Sequence, residues 1–208
     1  MLDILSYTFM QRALVASTLI GIVTAVVGVY VVLRGMAFMG AGIAHASFGG
    51  VALGFLLGWS LIATAAIFSL LGALGIGLVS RRSEIREDTA IGIFFTSSMA
   101  FGVLLVGLLR GFNVDLFGFL FGSVLAVTRQ DLILSGILGV LVLVTVGFLY
   151  KELMFISFDP EMAQVVGVPA VPLYYLLLGL IAVTIVISIR VVGVILVEAL
   201  IVTPAAAA

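Results

Sequence analysis

The sequence predicts an all-α protein, a polytopic transmembrane helix bundle of six to seven spans, and three observations predict it. Of 208 residues, 64% are apolar and only 9% are charged. Soluble domains carry roughly 25% charged residues, so this chain has too little charge to cover a water-facing surface. The charges are also clustered, which leaves long stretches with none. Those stretches are too long for barrel strands, and helices satisfy their own backbone groups in lipid. The N-terminus has no basic leader, and its first apolar run is too long for a signal peptide, so it reads as a first span.

The charge-free runs place the elements in order. Ala13–Leu33 is free of charge over 21 residues. Gly35–Ser80 holds 46 residues with no acid or base except His45, enough for two spans with a turn near Gly58, Trp59 and Ser60. Thr89–Leu109 gives another 21, Leu132–Tyr150 gives 19, and Met162–Ile189 gives 28. Crossing about 30 Å of hydrocarbon takes roughly 20 residues. The spans therefore fall near 13–33, 36–58, 60–80, 89–109, 131–150 and 170–189. A seventh apolar stretch begins at Val191 and runs to Ala208.

Three polar connections separate them. Arg81–Asp88 is the densest charge cluster, and Lys151–Gly167 is amphipathic. Arg110–Asp131 contains an apolar patch, Leu116–Val127, too short to span and suited to a re-entrant or interfacial position. If 81–88 is cytoplasmic, the inside loops hold Arg34, Arg81, Arg82, Arg86 and Lys151, against Arg12, Arg110, Arg129 and Arg190 outside. Five against four is a feeble positive-inside bias.

Composition also excludes functions. The net charge of -1 gives no argument for nucleic acid. With no cysteine, disulfides and thiolate metal sites are ruled out. The only lysine, Lys151, belongs to no phosphate-binding loop, so the chain does not bind ATP in that manner. One histidine cannot by itself make a multi-histidine zinc centre. Ser47, two residues past His45, points to a different helix face. No catalytic set is present, and the chain reads as a transport component rather than an enzyme. Energy for transport must come from a partner or an ion gradient.

The second span is the most unusual segment. Gly42, Ala46, Gly50, Gly54 and Gly58 recur every four residues and form a stripe that lets helix backbones approach closely in lipid. Ala41, His45 and Gly49 form a parallel stripe. His45 lies nine residues past Met36, about 14 Å at 1.5 Å per residue. Glu198 lies eight residues past Arg190, about 12 Å deep. They are the two ionisable groups placed near mid-membrane, where such groups are costly and mark solute pathways. Imidazole and carboxylate at one depth can share a cation. The residues alone leave another reading open, in which His45 bonds a helix carbonyl and Glu198 bonds hydroxyls or is protonated. Pro204 is expected to break the helix behind Glu198. Met36 and Met39 read as packing residues.

Four stretches in order carry a resemblance. They are Tyr30–Gly40 followed by Ile43–Ala46 and Gly49–Gly54; Arg86–Phe95; Leu116–Gly118 with Leu120–Val127; and Phe158–Pro169 with Val192–Ala206 beyond it. Together they resemble the membrane permease subunits of zinc and manganese ABC importers. The resemblance implies a single transmembrane permease domain over 1–208, multi-pass in the cell (inner) membrane, working as a homodimer in lipid. It also implies a cytoplasmic ATP-binding subunit and an extracellular or periplasmic metal-binding protein as partners. No permanent cofactor is implied, only a transported Zn or Mn ion, for which His45 and Glu198 are the candidate ligands here. The segment near 151–168 corresponds to the coupling helix that seats in the ATPase, with Asp159, Pro160, Glu161, Ala163 and Gly167 as its residues. Asp159 suits a helix cap, Pro160 a first helical position and Gly167 a terminator.

Two departures qualify the match. Family members often place an acid four residues before the histidine, where this chain has Ala41, and Glu198 is expected to supply that carboxylate instead. Family chains also continue beyond the position of Ala208, so the chain is expected to be truncated relative to them. Ligand softness leans slightly to zinc. The rivals are an ABC permease for a metal chelate or vitamin, and a gradient-driven secondary transporter with His45 and Glu198 carrying protons.

Overall fold

The protein is described here by a computed structural model covering residues 7–82, 85–108, 121–123 and 127–208. Its long helices follow the charge-free runs. They are α1 (Thr8–Leu33), α2 (Met39–Leu57), α3 (Leu61–Arg82), α4 (Glu87–Leu108) and α5 (Arg129–Phe148). Two short helices follow, α6 (Tyr150–Phe158) and α7 (Pro160–Val165), and then α8 (Ala170–Ala207). Six of these helices are long and apolar enough to cross a membrane, and no strand occurs among the described residues. The patch 116–127 and residues 83–84 of the charge cluster lie outside the described residues, apart from 121–123 and Val127.

Local chemistry sets the helix ends. Gly58 closes α2 in a left-handed conformation where the turn was expected. Thr128 starts α5 through a capping box: its hydroxyl accepts from the Asp131 amide at 3.2 Å, and its own amide donates to Asp131 Oδ2 at 3.1 Å.

Lipid supplies little hydrophobic drive between helices, so close packing must hold them. The small-residue stripe of α2 performs this role. A Cβ on Gly50 would meet the Thr64 carbonyl and Phe68 Cβ of α3, one on Gly54 would meet Thr64 Oγ1, and Ala46 sits against Gly72. The parallel stripe faces α4, where Gly49 lies against the Ser98 carbonyl and Phe101. α2 is thereby wedged between two helices by its lack of side chains. Met36 and Met39, at its base, are fully buried in the core.

The last helix has two arms, divided where the sequence suggests. The sequence suggests one span ending near Ile189 and a separate stretch from Val191. The structure joins them in α8 through a single non-helical residue, Gly193, at φ 80° and ψ 167°. That region belongs almost only to glycine. Gly122 packs directly on the Gly193 amide, with no room for a side chain on its own Cα. The first arm, 170–192, runs antiparallel to α3, with Tyr174 beside Gly77 and Arg190 among residues that also include Ser60 and Ile62. The second arm runs back: Glu198 is level with His45, and Ile201, three residues on, touches Gly40 and packs its carbonyl against Gly28. Pro204 does not break this arm, contrary to expectation; the helix continues to Ala207. A proline removes one amide donor, and neighbouring helices support such a helix in a membrane.

α8 is also the core. In its most apolar stretch 78% of residues are buried within the protein, against 17% for α4. α4 is therefore the outermost span.

Candidate functional site

The reversal at Gly193 brings the two mid-span ionisable groups together. His45 Nδ1 lies 3.4 Å from Glu198 Oε1. His45 Nδ1 also lies 2.9 Å from the carbonyl oxygen of Ala41, one turn back. A carbonyl only accepts, so Nδ1 carries the proton and donates, which leaves the Nε2 lone pair of a neutral ring free for a ligand. The departure at Ala41 thus has a structural counterpart, since its backbone rather than a side-chain acid orients the imidazole. Phe95 of α4 covers the ring, with centroids 4.3 Å apart and planes tilted by 47°.

Glu198 Oε1 is buried and accepts no hydrogen bond among the described residues. A buried carboxylate oxygen without a donor is costly, so the site has an opening for a proton or a cation. Both side chains keep a partly exposed edge, 18% for His45 and 31% for Glu198. Among the described residues, no third His, Asp or Glu joins them. First-row metals take four or more ligands, so this pair is part of a site and not the whole of one.

The segment from Asp159 to Gly167 folds as its sequence suggests. Asp159 caps α7, its carboxylate accepting from the Met162 amide at 2.8 Å, with Pro160 in the first turn. Gly167, at φ 92°, ends it: the Gly167 amide donates to Gln164 O at 3.1 Å and the Val168 amide to Ala163 O at 2.9 Å. This double closure is a Schellman motif, which a left-handed glycine permits. Ala163 faces inward, fully buried, and Glu161 is exposed in the first turn. Phe158, Met162, Val165 and Val166 are exposed, which makes an apolar patch on a rigid, capped turn.

The sequence did not point to two polar clusters. At the α6–α7 end, Arg34 Nη1 donates to the Ile156 carbonyl at 2.9 Å, and its guanidinium lies 4.9 Å from the centre of the Tyr174 ring. Arg81 approaches the same ring at 5.6 Å, and the Tyr174 hydroxyl donates to Glu87 Oε1 at 3.0 Å. Burial lowers the Arg34 pKa, while Glu87 and Tyr174 push it up and Arg81 lowers it further. At the opposite end, Arg190 pairs with Asp131 at 2.7 Å. A cavity of about 510 Å³ opens there, lined by Ser47, Ser60, Ser123, Asp131 and Arg190 among others. Its lining includes neither His45 nor Glu198; Ser47, two residues past His45, is its nearest point along α2. The signals for both clusters were single charged residues at span ends, and their partners are remote in sequence.

Known proteins resemble this chain over nearly its whole length. The manganese transport system membrane protein MntC of Halalkalibacterium halodurans is 43% identical over 99% of this chain and 70% of its own length. The manganese import system permease protein ScaB of Streptococcus parasanguinis is also 43% identical, over 97% of this chain and 72% of its own. The solved structure of PsaBC from Streptococcus pneumoniae in complex with Fab superposes with a TM-score of 0.84 at 39% identity, covering 99% of this chain and 74% of that one. The model of the ABC 3 transport family matches residues 6–208, and the chain, a multi-pass protein of the cell membrane, belongs to that family.

Proposed function

We propose that this chain is the permease subunit of an ATP-driven importer of divalent transition metal ions, that its cargo is manganese, and that His45 and Glu198 stand on the path. One observation carries the site assignment: among the described residues, two ionisable groups at mid-span depth, on helices far apart in sequence, come within 3.4 Å of each other with a carboxylate oxygen left without a donor. Ligand chemistry alone leaned to zinc. An imidazole with one carboxylate accepts either metal, and the relatives named above are named for manganese. An apolar chelate or vitamin would call for a wide apolar chamber, whereas this pair sets an imidazole beside a carboxylate at mid-span.

The remaining ligands fit a homodimer. Two copies meeting on the partly exposed edge of this pair would contribute two imidazoles and two carboxylates. The covering would also remove a carboxylate edge from lipid, where it is expensive. Residues 1–208 form one transmembrane permease domain in this reading. Its cytoplasmic end holds α6 and α7, where the apolar patch of Phe158, Met162, Val165 and Val166 seats on a separate ATP-hydrolysing subunit. The end with Arg190 faces outward and receives the ion from an external metal-binding protein. The chain itself performs no chemistry; ATP-driven motion alternates access to the ion.

The test is uptake into vesicles carrying the complete transporter with its ATPase subunit, with labelled manganese and zinc in parallel. His45→Ala and Glu198→Gln should each lower ATP-dependent manganese uptake by at least about tenfold, as loss of a metal-site group does, while assembly is kept. Unchanged uptake in both variants would remove the pair from the path. Faster uptake of zinc than manganese would overturn the choice of cargo.

A further inference from the structure

Arg34 has no place in the metal path and none in the docking patch, yet it touches elements that serve both. It sits on the elbow between α1 and α2, 11 residues before His45. Its Nη1 donates to the carbonyl of Ile156, three residues before the Asp159 cap that begins α7. Its guanidinium is held over the Tyr174 ring, at the base of the first arm of α8. Glu87 anchors that ring from α4 through the hydroxyl at 3.0 Å. The Arg34 Nε is buried and donates to nothing among the described residues. The side chain is thus positioned by the ring and one carbonyl, not by full saturation of its donors.

The elbow is in turn in contact with the ion site. Gly28, in the last turns of α1, packs against the Ile201 carbonyl, and a Cβ on Gly40, in the first turn of α2, would come into ordinary contact with Ile201 Cδ1. Ile201 is one helical turn beyond Glu198. A shift of the α1–α2 elbow therefore moves His45 directly and moves Glu198 through Ile201. At Gly28 the two backbones are in direct contact, where packing has no slack to absorb a displacement.

We propose that Arg34 is the positioning residue that couples the docked α6–α7 segment to the His45–Glu198 pair, an assignment that rests on the permease reading above. Its planar fork reaches the carbonyl while its face lies on the ring, and a lysine cannot do both. Arg34 converts movement of Ile156 into movement of the elbow.

The experiment measures metal ions imported per ATP hydrolysed by the complete transporter, in Arg34→Gln, in Arg34→Lys and in an Arg82→Gln control. Arg82 neighbours the cluster in sequence and is exposed. Arg34→Gln and Arg34→Lys are expected to assemble with the ATPase subunit and hydrolyse ATP within about twofold of the unaltered protein. Their manganese uptake should fall about tenfold, the range over which residues between two sites modulate coupling. Arg82→Gln should leave the ratio unchanged. Uptake and hydrolysis falling in proportion, or neither changing, would overturn the assignment. Should Arg34→Gln fail to assemble, Arg34→Lys decides by the same ratio. Failure of the unaltered transporter to import manganese on ATP would overturn the permease reading instead, so the two failures are distinguishable.

Discussion

At the residue scale the protein depends on a few positions where chemistry and depth coincide. His45 and Glu198 were legible in the sequence because apolar spans make any ionisable group conspicuous. Their partners were not. Phe95 against His45, and the Ala41 carbonyl that orients the ring, involve an ordinary apolar residue and a backbone group, and neither carries a sequence signal. Ala41 offers a direct check. An aspartate there would stand one turn from His45, on the same face. Ala41→Asp combined with Glu198→Gln should recover part of the manganese uptake that Glu198→Gln alone loses, measured as initial rate in vesicles. No recovery would mean that the carboxylate of Glu198 acts through its position and not only through its charge. Gly50 makes a packing prediction. Gly50→Val would drive methyl groups into the Thr64 carbonyl and Phe68. Overpacking of this kind costs roughly 1–3 kcal/mol, and thermal unfolding in detergent should shift down accordingly, whereas a valine at Gly21, which has open space around it, should not shift it.

At the element scale the capped turn α7 and the broken helix α8 differ in how far their sequences announce them. Asp159, Pro160 and Gly167 are a local code, and the structure follows it to the individual hydrogen bond. Asp159→Ala removes the cap, which costs about 1 kcal/mol of local helix stability. Combined with Val165→Asp, which puts a charge in the exposed apolar patch, it should abolish co-purification of the ATPase subunit; retention of the subunit would move the docking surface elsewhere. In α8 the local code misleads. Pro204 looks like a break and is not one, while Gly193 looks unremarkable among many glycines and is the break. Which of the two yields depends on what packs there, Gly122 in the one case and the bundle around the second arm in the other. Gly193→Ala should cost roughly 1–3 kcal/mol of backbone strain and separate Glu198 from His45, lowering both the unfolding temperature and metal uptake.

At the scale of the whole molecule the two ends are chemically distinct. Arg34, Arg81, Glu87, Tyr174 and the base of α6 gather at one end, and Arg190, Asp131, Ser60 and the cavity lie at the other. The charge count across loops was too even to orient the chain, and the tertiary clusters group residues by end in the same way as the alternation of the loops. The absence of cysteine makes this testable without background. Arg82→Cys and Ser60→Cys place single thiols at exposed positions on the two ends. A membrane-impermeant thiol reagent applied to intact cells should label Ser60→Cys and leave Arg82→Cys unlabelled until the membrane is opened. The reverse pattern would invert the molecule and with it the direction of transport.

The sequence by itself determined the membrane-spanning class, the number and approximate limits of the long helices, the close-packing face of α2 and the capped turn at Asp159. These follow from rules that act over one or two helical turns or over one span: lipid excludes charge, small residues admit a neighbouring backbone, and caps satisfy the nearest free amides. Only the tertiary structure decided that Gly193 reverses the last helix, that His45 meets Glu198, and that Arg34 ties the elbow of α1 and α2 to Ile156 and Tyr174. Each of these joins residues more than 100 positions apart or depends on a neighbour such as Gly122, and no local pattern encodes a contact whose free energy arises from the packing of distant segments.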